Sequence, residues 1–232
     1  MPVITLDMID IDITRKPIKR LYLRVRAPDG RVTLSIPRRV SDAYAREFIA
    51  DRLPWIKQQQ ARLADRPAPP ACEYKTGESH PVRGVTYPLS IIFVNGTRQA
   101  RLVNGRLLLS CRPGDTTEKR AAILREWYRN DLKKRIPGII ERYEMIMGVR
   151  VSGFSIRHMR ARWGSCHTRD GRLTVNLELA KYPDACLDYV VVHEMAHLLE
   201  RGHNARFYAL MTRFFPTWKD VKARLARPSW DI

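Results

Sequence analysis

The chain has 232 residues, 44% of them hydrophobic, and carries 42 Lys and Arg against 24 Asp and Glu, a formal charge of +18. This size and apolar content suffice for one large or two small domains with a buried core. No apolar run approaches the roughly eighteen residues of a bilayer span, and the N-terminus lacks the basic and apolar regions of a signal peptide. We therefore expect a soluble, cytoplasmic protein.

The four cysteines, Cys72, Cys111, Cys166 and Cys186, are scattered along the chain and form no CxxC pair. This spacing argues against a disulfide framework and against a cysteine zinc site, and it fits a reducing compartment.

The charge of +18 would attract polyanions such as nucleic acid, phosphorylated small molecules or acidic proteins. The basic residues are spread out, however, and form no recognition helix, basic tail or RNA-binding signature. Association with nucleic acid therefore stays open beside the alternative of a solvated basic surface.

In the N-terminal part, alternating apolar residues from 18 to 37 predict a hairpin that turns at Pro28-Asp29-Gly30. Ser41 is a residue type that caps helices, and the apolar spacing after it predicts one helix that runs through Ile56. The proline-rich segment 66–70 ends that helix and indicates a loop or linker.

Three short strands are predicted next, near 85–94, 98–103 and 106–111. They are separated by Asn95-Gly96 and Asn104-Gly105, and each Asn-Gly pair predicts a hairpin turn because both residue types tolerate positive φ. The region 1–112 is therefore expected to be β-rich with one helix.

The rest of the chain is predicted to alternate helices with a short sheet. A long helix is expected from about Thr117 to Met147, with a kink at Pro137-Gly138 and an end at Gly148. The following elements are strands over 149–157 and 172–179 around a loop over 160–170, then helices opened by Pro183-Asp184, over 205–214 and near 218–225. The order predicts an α+β fold, with residues 113–232 as the catalytic domain.

The helix opened by Pro183 contains the motif His193-Glu194-Met195-Ala196-His197. Residues four apart lie about 40° apart around a helix axis and about 6 Å along it, so the two histidines share a face and can bind one ion. Glu194 lies beside them and can act as general base on a metal-bound water. The alternative is a core helix with hydrogen-bonded histidines, but burying two His and one Glu there without a ligand is costly.

His203 supplies a third candidate imidazole if the chain turns back after His197. An unbroken helix would place His203 about 15 Å along the axis from His193. Gly202 is the residue best suited to the left-handed conformation that ends a helix. Three imidazoles with a fourth position open to water are typical of a catalytic zinc site. Glu200 stands where metzincins place a glycine, so the turn is expected to differ from theirs.

Several segments together resemble the YgjP-like metallopeptidase-domain family, which is related to the SprT and WLM groups of zincins. The segments that carry the resemblance are Arg162-Trp163-Gly164-Ser165-Cys166, Leu173-Thr174-Val175-Asn176-Leu177, Tyr189-Val190-Val191-Val192-His193-Glu194, His203 and Phe207. The resemblance implies a zincin-like helix–sheet–helix core after a β-rich region. It also implies Zn²⁺ at His193, His197 and His203, with Glu194 as the acid/base residue.

Four further residues are candidates for binding substrate or stabilising an oxyanion, because they flank the motif or lie in the family segments. They are Arg162, His158, Asn176 and Tyr208. For each of them individually, a structural role is the favoured interpretation.

The sequence leaves three functions open. The leading hypothesis is a zinc-dependent hydrolase of metallopeptidase type, in which Leu173–Leu179 is the strand edge that pairs with an extended peptide. A nucleoside triphosphate (UTP-type) pyrophosphatase could use the same metal, water and glutamate, with arginines holding phosphates, although no P-loop or magnesium carboxylate cluster is visible. The third is a nucleic-acid-associated, SprT-like protease.

Overall fold

The computed structural model describes residues 3–26, 29–64, 72–159 and 162–229, and the side chain of Ala64 is outside this description. The chain forms two compact units, Met1–Ala71 and Cys72–Ile232. The expected domain boundary at residue 112 lies inside the second unit, because the strands before it share one hydrophobic core with the long helix that follows. The predicted linker over 66–70 lies outside the described residues.

The first unit is a four-stranded sheet with two helices. Its strands are β1 (Val3–Leu6), β2 (Ile9–Lys16), β3 (Tyr22–Arg26) and β4 (Arg31–Pro37), in the order β1-β2-β4-β3. β3 and β4 form the predicted antiparallel hairpin. Gly30 turns the chain with φ 69° and donates its amide to Arg26 O at 2.8 Å, whereas Pro28 lies outside the described residues.

The single helix predicted after Ser41 is two helices, α1 (Asp42–Ala50) and α2 (Leu53–Ala64). Ser41 caps α1 as expected, since its hydroxyl accepts the Tyr44 amide at 3.2 Å. The break follows from Pro54, which lacks an amide hydrogen and is favourable in the first turn of a helix but costly in its interior. A new helix therefore begins just before Pro54.

The second unit begins with a four-stranded sheet of β5 (Ser79–Val82), β6 (Val85–Phe93), β7 (Gln99–Val103) and β8 (Arg106–Cys111), in the order β5-β6-β8-β7. Asn104-Gly105 forms the predicted hairpin between β7 and β8, with φ 47° and 72°. The hairpin predicted at Asn95-Gly96 is wrong. β6 instead pairs in parallel with β8, and Gly96 lies in a longer connection without positive φ.

A helix of 31 residues, α3 (Thr117–Met147), follows and continues without a break through Pro137. Thr116 caps its start, and Gly148 ends it in the left-handed conformation with φ 68°, as predicted. Its buried face, which includes Leu132 and Ile136, packs in the core of the second unit.

The next sheet has three strands, β9 (Gly153–Arg157), β10 (Gly164–His167) and β11 (Arg172–Asn176), in the order β10-β11-β9. The loop predicted over 160–170 therefore contains a strand, although Arg160 and Ala161 lie outside the described residues. The strand predicted to reach Leu179 ends at Asn176, whose side chain accepts the Glu178 amide at 3.2 Å and starts a 3-10 turn. β11 is central, so it is not the free edge that the sequence suggested.

Three helices complete the second unit: α4 (Asp184–Ala196), α5 (Ala205–Phe214) and α6 (Trp218–Leu225). α4 is buried along most of its length because its apolar residues, among them Leu187, Val191 and Met195, occupy more than one face. The mixture of sheets and helices confirms the predicted α+β class. Within the residues that the structure describes, no helix is both long and apolar enough to cross a membrane.

Candidate metal and active site

Three imidazoles converge where α4 ends and α5 begins. Each of His193, His197 and His203 offers a ring nitrogen, and these nitrogens all lie within 4.8 Å of one another. The Nε2 atoms of His193 and His203 are 3.0 Å apart. The structure thus brings together the three residues that the sequence singled out as metal ligands.

The surroundings of His193 and His203 favour neutral rings, whose nitrogens are available to a metal. Burial, followed by the nearby His197 and His203, lowers the pKa of His193 to about 4, and burial also lowers the pKa of His203. His197 Nδ1 lies 3.1 Å from the carbonyl oxygen of Glu200. This bond requires the proton on Nδ1 and leaves Nε2 as a lone-pair donor, the arrangement typical of metal-binding histidines. The donor set therefore fits Zn²⁺.

The chain reverses after His197 by a tight turn, as predicted, but not through Gly202. The amides of Leu199 and Glu200 donate to Ala196 O at 3.0 and 2.9 Å, and these bonds end α4. Gly202 does not have positive φ; its amide is 3.3 Å from Glu200 Oε1. The prediction of a left-handed glycine at residue 202 is therefore wrong. Hydrogen bonds to backbone carbonyls at the end of α4, together with the Glu200 side chain, make the turn instead.

Phe207 forms the base of the histidine cluster. Asn204 caps α5 by accepting the Phe207 amide at 3.0 Å, which fixes the first turn of that helix beneath the cluster. The fully buried Phe207 ring lies 4.9, 4.7 and 4.7 Å from the ring centres of His193, His197 and His203. The sequence marked Phe207 only as part of a family segment, because nothing local indicates contact with all three rings.

Glu194 points from α4 toward β10 and is buried, with 6% of its surface exposed. Burial raises the pKa of its carboxyl group to about 7, against the opposing effects of the Arg162 charge and a hydrogen bond from the Cys166 amide. A β-carbon on Gly164 would lie only 2.6 Å from Glu194 Oε1. Glycine at this position therefore makes room for the carboxylate, a role that the sequence did not reveal.

A cavity of about 760 Å³ opens above these groups and is lined by Glu194, by the three histidines and by Gly164, Ser165 and Cys166 of β10. Arg162, Arg201 and Lys222 also line it. The cavity therefore joins the metal-binding cluster, the buried carboxylate and one edge of the sheet.

The sequence model of the family described as "YgjP-like, metallopeptidase domain" matches residues 19–228. The chain belongs to this family. No curated protein matches it.

Among solved structures, the chain is similar to the metallopeptidase zymogen abylysin of Pyrococcus abyssi, with 20% identity, a TM-score of 0.37, and coverage of 39% of this chain and 90% of that one. It is also similar to the metallopeptidase zymogen jannalysin of Methanocaldococcus jannaschii, with 16% identity, a TM-score of 0.36, and coverage of 39% and 93%.

In this YgjP-like chain, the four candidate substrate residues occupy different environments. Arg162 lines the main cavity. Tyr208 lines a smaller adjoining pocket of about 340 Å³ beside His193 and His203, and it stacks on Trp218 with ring centres 5.3 Å apart. Both are therefore placed near the metal cluster.

Asn176 and His158 do not line either pocket. Asn176 is buried, and its amide group donates to Met159 O at 2.8 Å and to Arg162 O at 2.7 Å. It therefore holds the segment that carries Arg162. The His158 side chain is 59% exposed, with Nε2 3.7 Å from Glu178 Oε1.

Proposed function

We propose that this YgjP-like protein is a zinc-dependent hydrolase that cleaves peptide bonds. The observation that carries the proposal is that the histidine cluster, the buried Glu194 and the edge of β10 all face one cavity. His193, His197 and His203 would hold the zinc ion. When bound, zinc lowers the pKa of a water ligand and polarises the carbonyl oxygen of the substrate.

Glu194 is suited to accept a proton from water and return it to the leaving amine. A general base works best when its pKa lies near the operating pH, and burial raises the pKa of Glu194 to about 7. The Cys166 amide and Gly164 restrict the carboxylate to one position against β10. Arg162 contributes a positive charge on the same side of the cavity.

The edge of β10 supports a peptide substrate. In an antiparallel ladder the amide and carbonyl of one residue point to the same side, and this side alternates along the strand. Trp163 O accepts the Asn176 amide of the sheet at 2.9 Å, so Ser165 also faces β11, while Gly164 and Cys166 face away from it. The Cys166 amide is bonded to Glu194, so an extended peptide could pair with the remaining outward amide and carbonyl groups of β10, beside Glu194.

A nucleotide substrate is the second candidate, and the cations that line the cavity favour it. Arg162, Arg201 and Lys222 border the space above Glu194, and arginine binds phosphate oxygens through two parallel hydrogen bonds. The same histidines and glutamate would serve hydrolysis of a phosphoanhydride. The peptide is the first choice because backbone groups of β10 line the cavity beside Glu194.

The deciding experiment compares wild type with Glu194→Gln on denatured protein and on nucleoside triphosphates. The amide keeps the size of the side chain but cannot accept the proton, so metal content should be unchanged and turnover lost. His158→Ala is the matched control, because this exposed histidine lies outside both pockets. Cleavage of denatured protein by wild type, but not by Glu194→Gln, supports the proposal. If wild type hydrolyses nucleoside triphosphates and does not cleave protein, the second candidate function replaces the first.

A further inference from the structure

A second group of side chains that could hold a metal ion lies in the second unit, outside the cavity. Cys72, Glu78 and His80 offer a sulfur, a carboxylate oxygen and a ring nitrogen, and these atoms all lie within 4.8 Å of one another. The sequence argued against a cysteine zinc site because no CxxC pair is present. Here the cysteine is joined by residues six and eight positions later, on and just before β5, a spacing that matches no familiar motif.

His80 and Glu78 are close together, but their two nearest atoms do not have the geometry of an ordinary hydrogen bond. His80 Nε2 lies 3.0 Å from Glu78 Oε1, yet both atoms are buried without a hydrogen-bond partner. The His80 side chain is 5% exposed, and a buried polar atom left without a partner is destabilising. A cation between the two atoms would satisfy both.

Surrounding contacts orient these side chains. The second carboxylate oxygen of Glu78, Oε2, accepts the Glu73 amide at 2.9 Å and the Lys75 amide at 3.3 Å, which directs Oε1 toward His80. Tyr74 stacks on the His80 ring with centres 5.3 Å apart. Supporting contacts of this kind fix the ligands in metal sites.

We propose that Cys72, Glu78 and His80 bind a thiophilic divalent cation of the Zn²⁺ class, distinct from the one held by the three histidines. Sulfur, imidazole and carboxylate are ligands that zinc accepts, and ligand atoms around tetrahedral zinc lie about 3.3–3.7 Å apart. The cation would join the segment that begins at Cys72 to β5. A fourth position would be open to water.

The charges nearby are compatible with a cation. A neutral His80 imidazole would donate a lone pair to the cation. The Cys72 thiol would release its proton to solvent as the metal–sulfur bond forms. Lys181 is the nearby cation, and its ammonium group is bonded to Glu178 at 2.7 Å, which offsets its charge.

The test is a titration of the full chain with Cd²⁺, followed by the thiolate-to-metal absorption band in the ultraviolet. The histidine cluster contains no sulfur ligand, so this band reports the second site. Wild type should develop the band and reach saturation by two equivalents, because the histidine cluster also takes up Cd²⁺, and Cys72→Ser should lose it. Because Cys72 is exposed, serine there is not expected to disturb folding. His80→Gln should weaken binding at least tenfold.

Two controls separate this site from the histidine cluster. Cys166→Ser should keep the band, because Cys166 lines the main cavity and not the second site. His197→Ala should keep it as well, even though it loses metal from the cluster, so failure of the proposed function would not remove the signal. A band that persists in Cys72→Ser, or one that is absent from wild type, would overturn the proposal.

Discussion

Replacing Gly164 with alanine tests how Glu194 is held. The β-carbon of alanine would lie 2.6 Å from Glu194 Oε1, 2.7 Å from Cγ and 2.9 Å from Cδ. Ordinary contacts between such atoms are about 3.5 Å or longer, so the carboxylate must move by about 1 Å. The φ of Gly164 is outside the left-handed region, so the effect is purely steric.

Two consequences of that displacement can be measured. Insertion of a methyl group into a packed interior destabilises a protein by about 1–3 kcal/mol. Misplacement of a catalytic group by about 1 Å reduces the rate by about 100-fold. The three histidines do not contact Gly164 in this way, so Gly164→Ala should keep its metal while kcat/KM falls by about two orders of magnitude.

The assay combines metal content, urea unfolding and kcat/KM on a protein substrate. Gly96→Ala is the matched control, because a β-carbon there meets no atom within 4 Å and the φ of Gly96 is ordinary. The control should behave as wild type in all three measurements. If Gly164→Ala has wild-type activity and stability, Glu194 does not pack against β10 as described, and its role as a positioned base is wrong.

Three further predictions concern other parts of the second unit. Gly202→Ala should change neither metal content nor the unfolding midpoint, because Gly202 has ordinary φ and open space around it. A loss of metal in this variant would contradict this description and favour a left-handed conformation at residue 202. Asn176→Ala should lower the free energy of unfolding by about 1–3 kcal/mol, since it leaves Met159 O and Arg162 O without their donor; unchanged urea unfolding would contradict this. Arg98 and a backbone amide lower the pKa of Asp115. The ionised Asp115 carboxylate therefore stabilises the fold at pH values above the pKa that Asp115 has in the unfolded chain, and this stabilisation is lost as pH falls. Asp115→Asn should therefore be less stable than wild type at pH 7, with a difference in thermal midpoint that narrows below about pH 4; a gap that widens in acid would refute the sign.

Elements with self-contained local signals could be predicted from the sequence. Thr116 and Gly148 bound α3 because each supplies its own terminal chemistry, a hydroxyl acceptor and a left-handed conformation. His193 and His197 share a helix face by geometry alone. The histidine cluster was therefore predictable, whereas the packing of Phe207 beneath it was not, because that contact joins two helices.

Strand order depends on distant pairing and could not be predicted. Two Asn-Gly pairs carry the same signal, yet only Asn104-Gly105 forms a two-residue hairpin. Asn95-Gly96 does not, since β6 gains a parallel partner in β8 instead. The same limitation concealed β10. The residues of β10 do not alternate between apolar and polar types. One side of the strand pairs with β11, and Gly164 of the strand packs against Glu194.

The most direct test of the central claim is cleavage of a denatured protein by wild type, Glu194→Gln and His197→Ala, with zinc content measured on the same samples. We expect Glu194→Gln to hold as much zinc as wild type and to cleave nothing, and His197→Ala to lose one equivalent together with its activity. Wild-type cleavage by Glu194→Gln, or an undiminished zinc content in His197→Ala, would contradict the claim that these residues form a zinc hydrolase site.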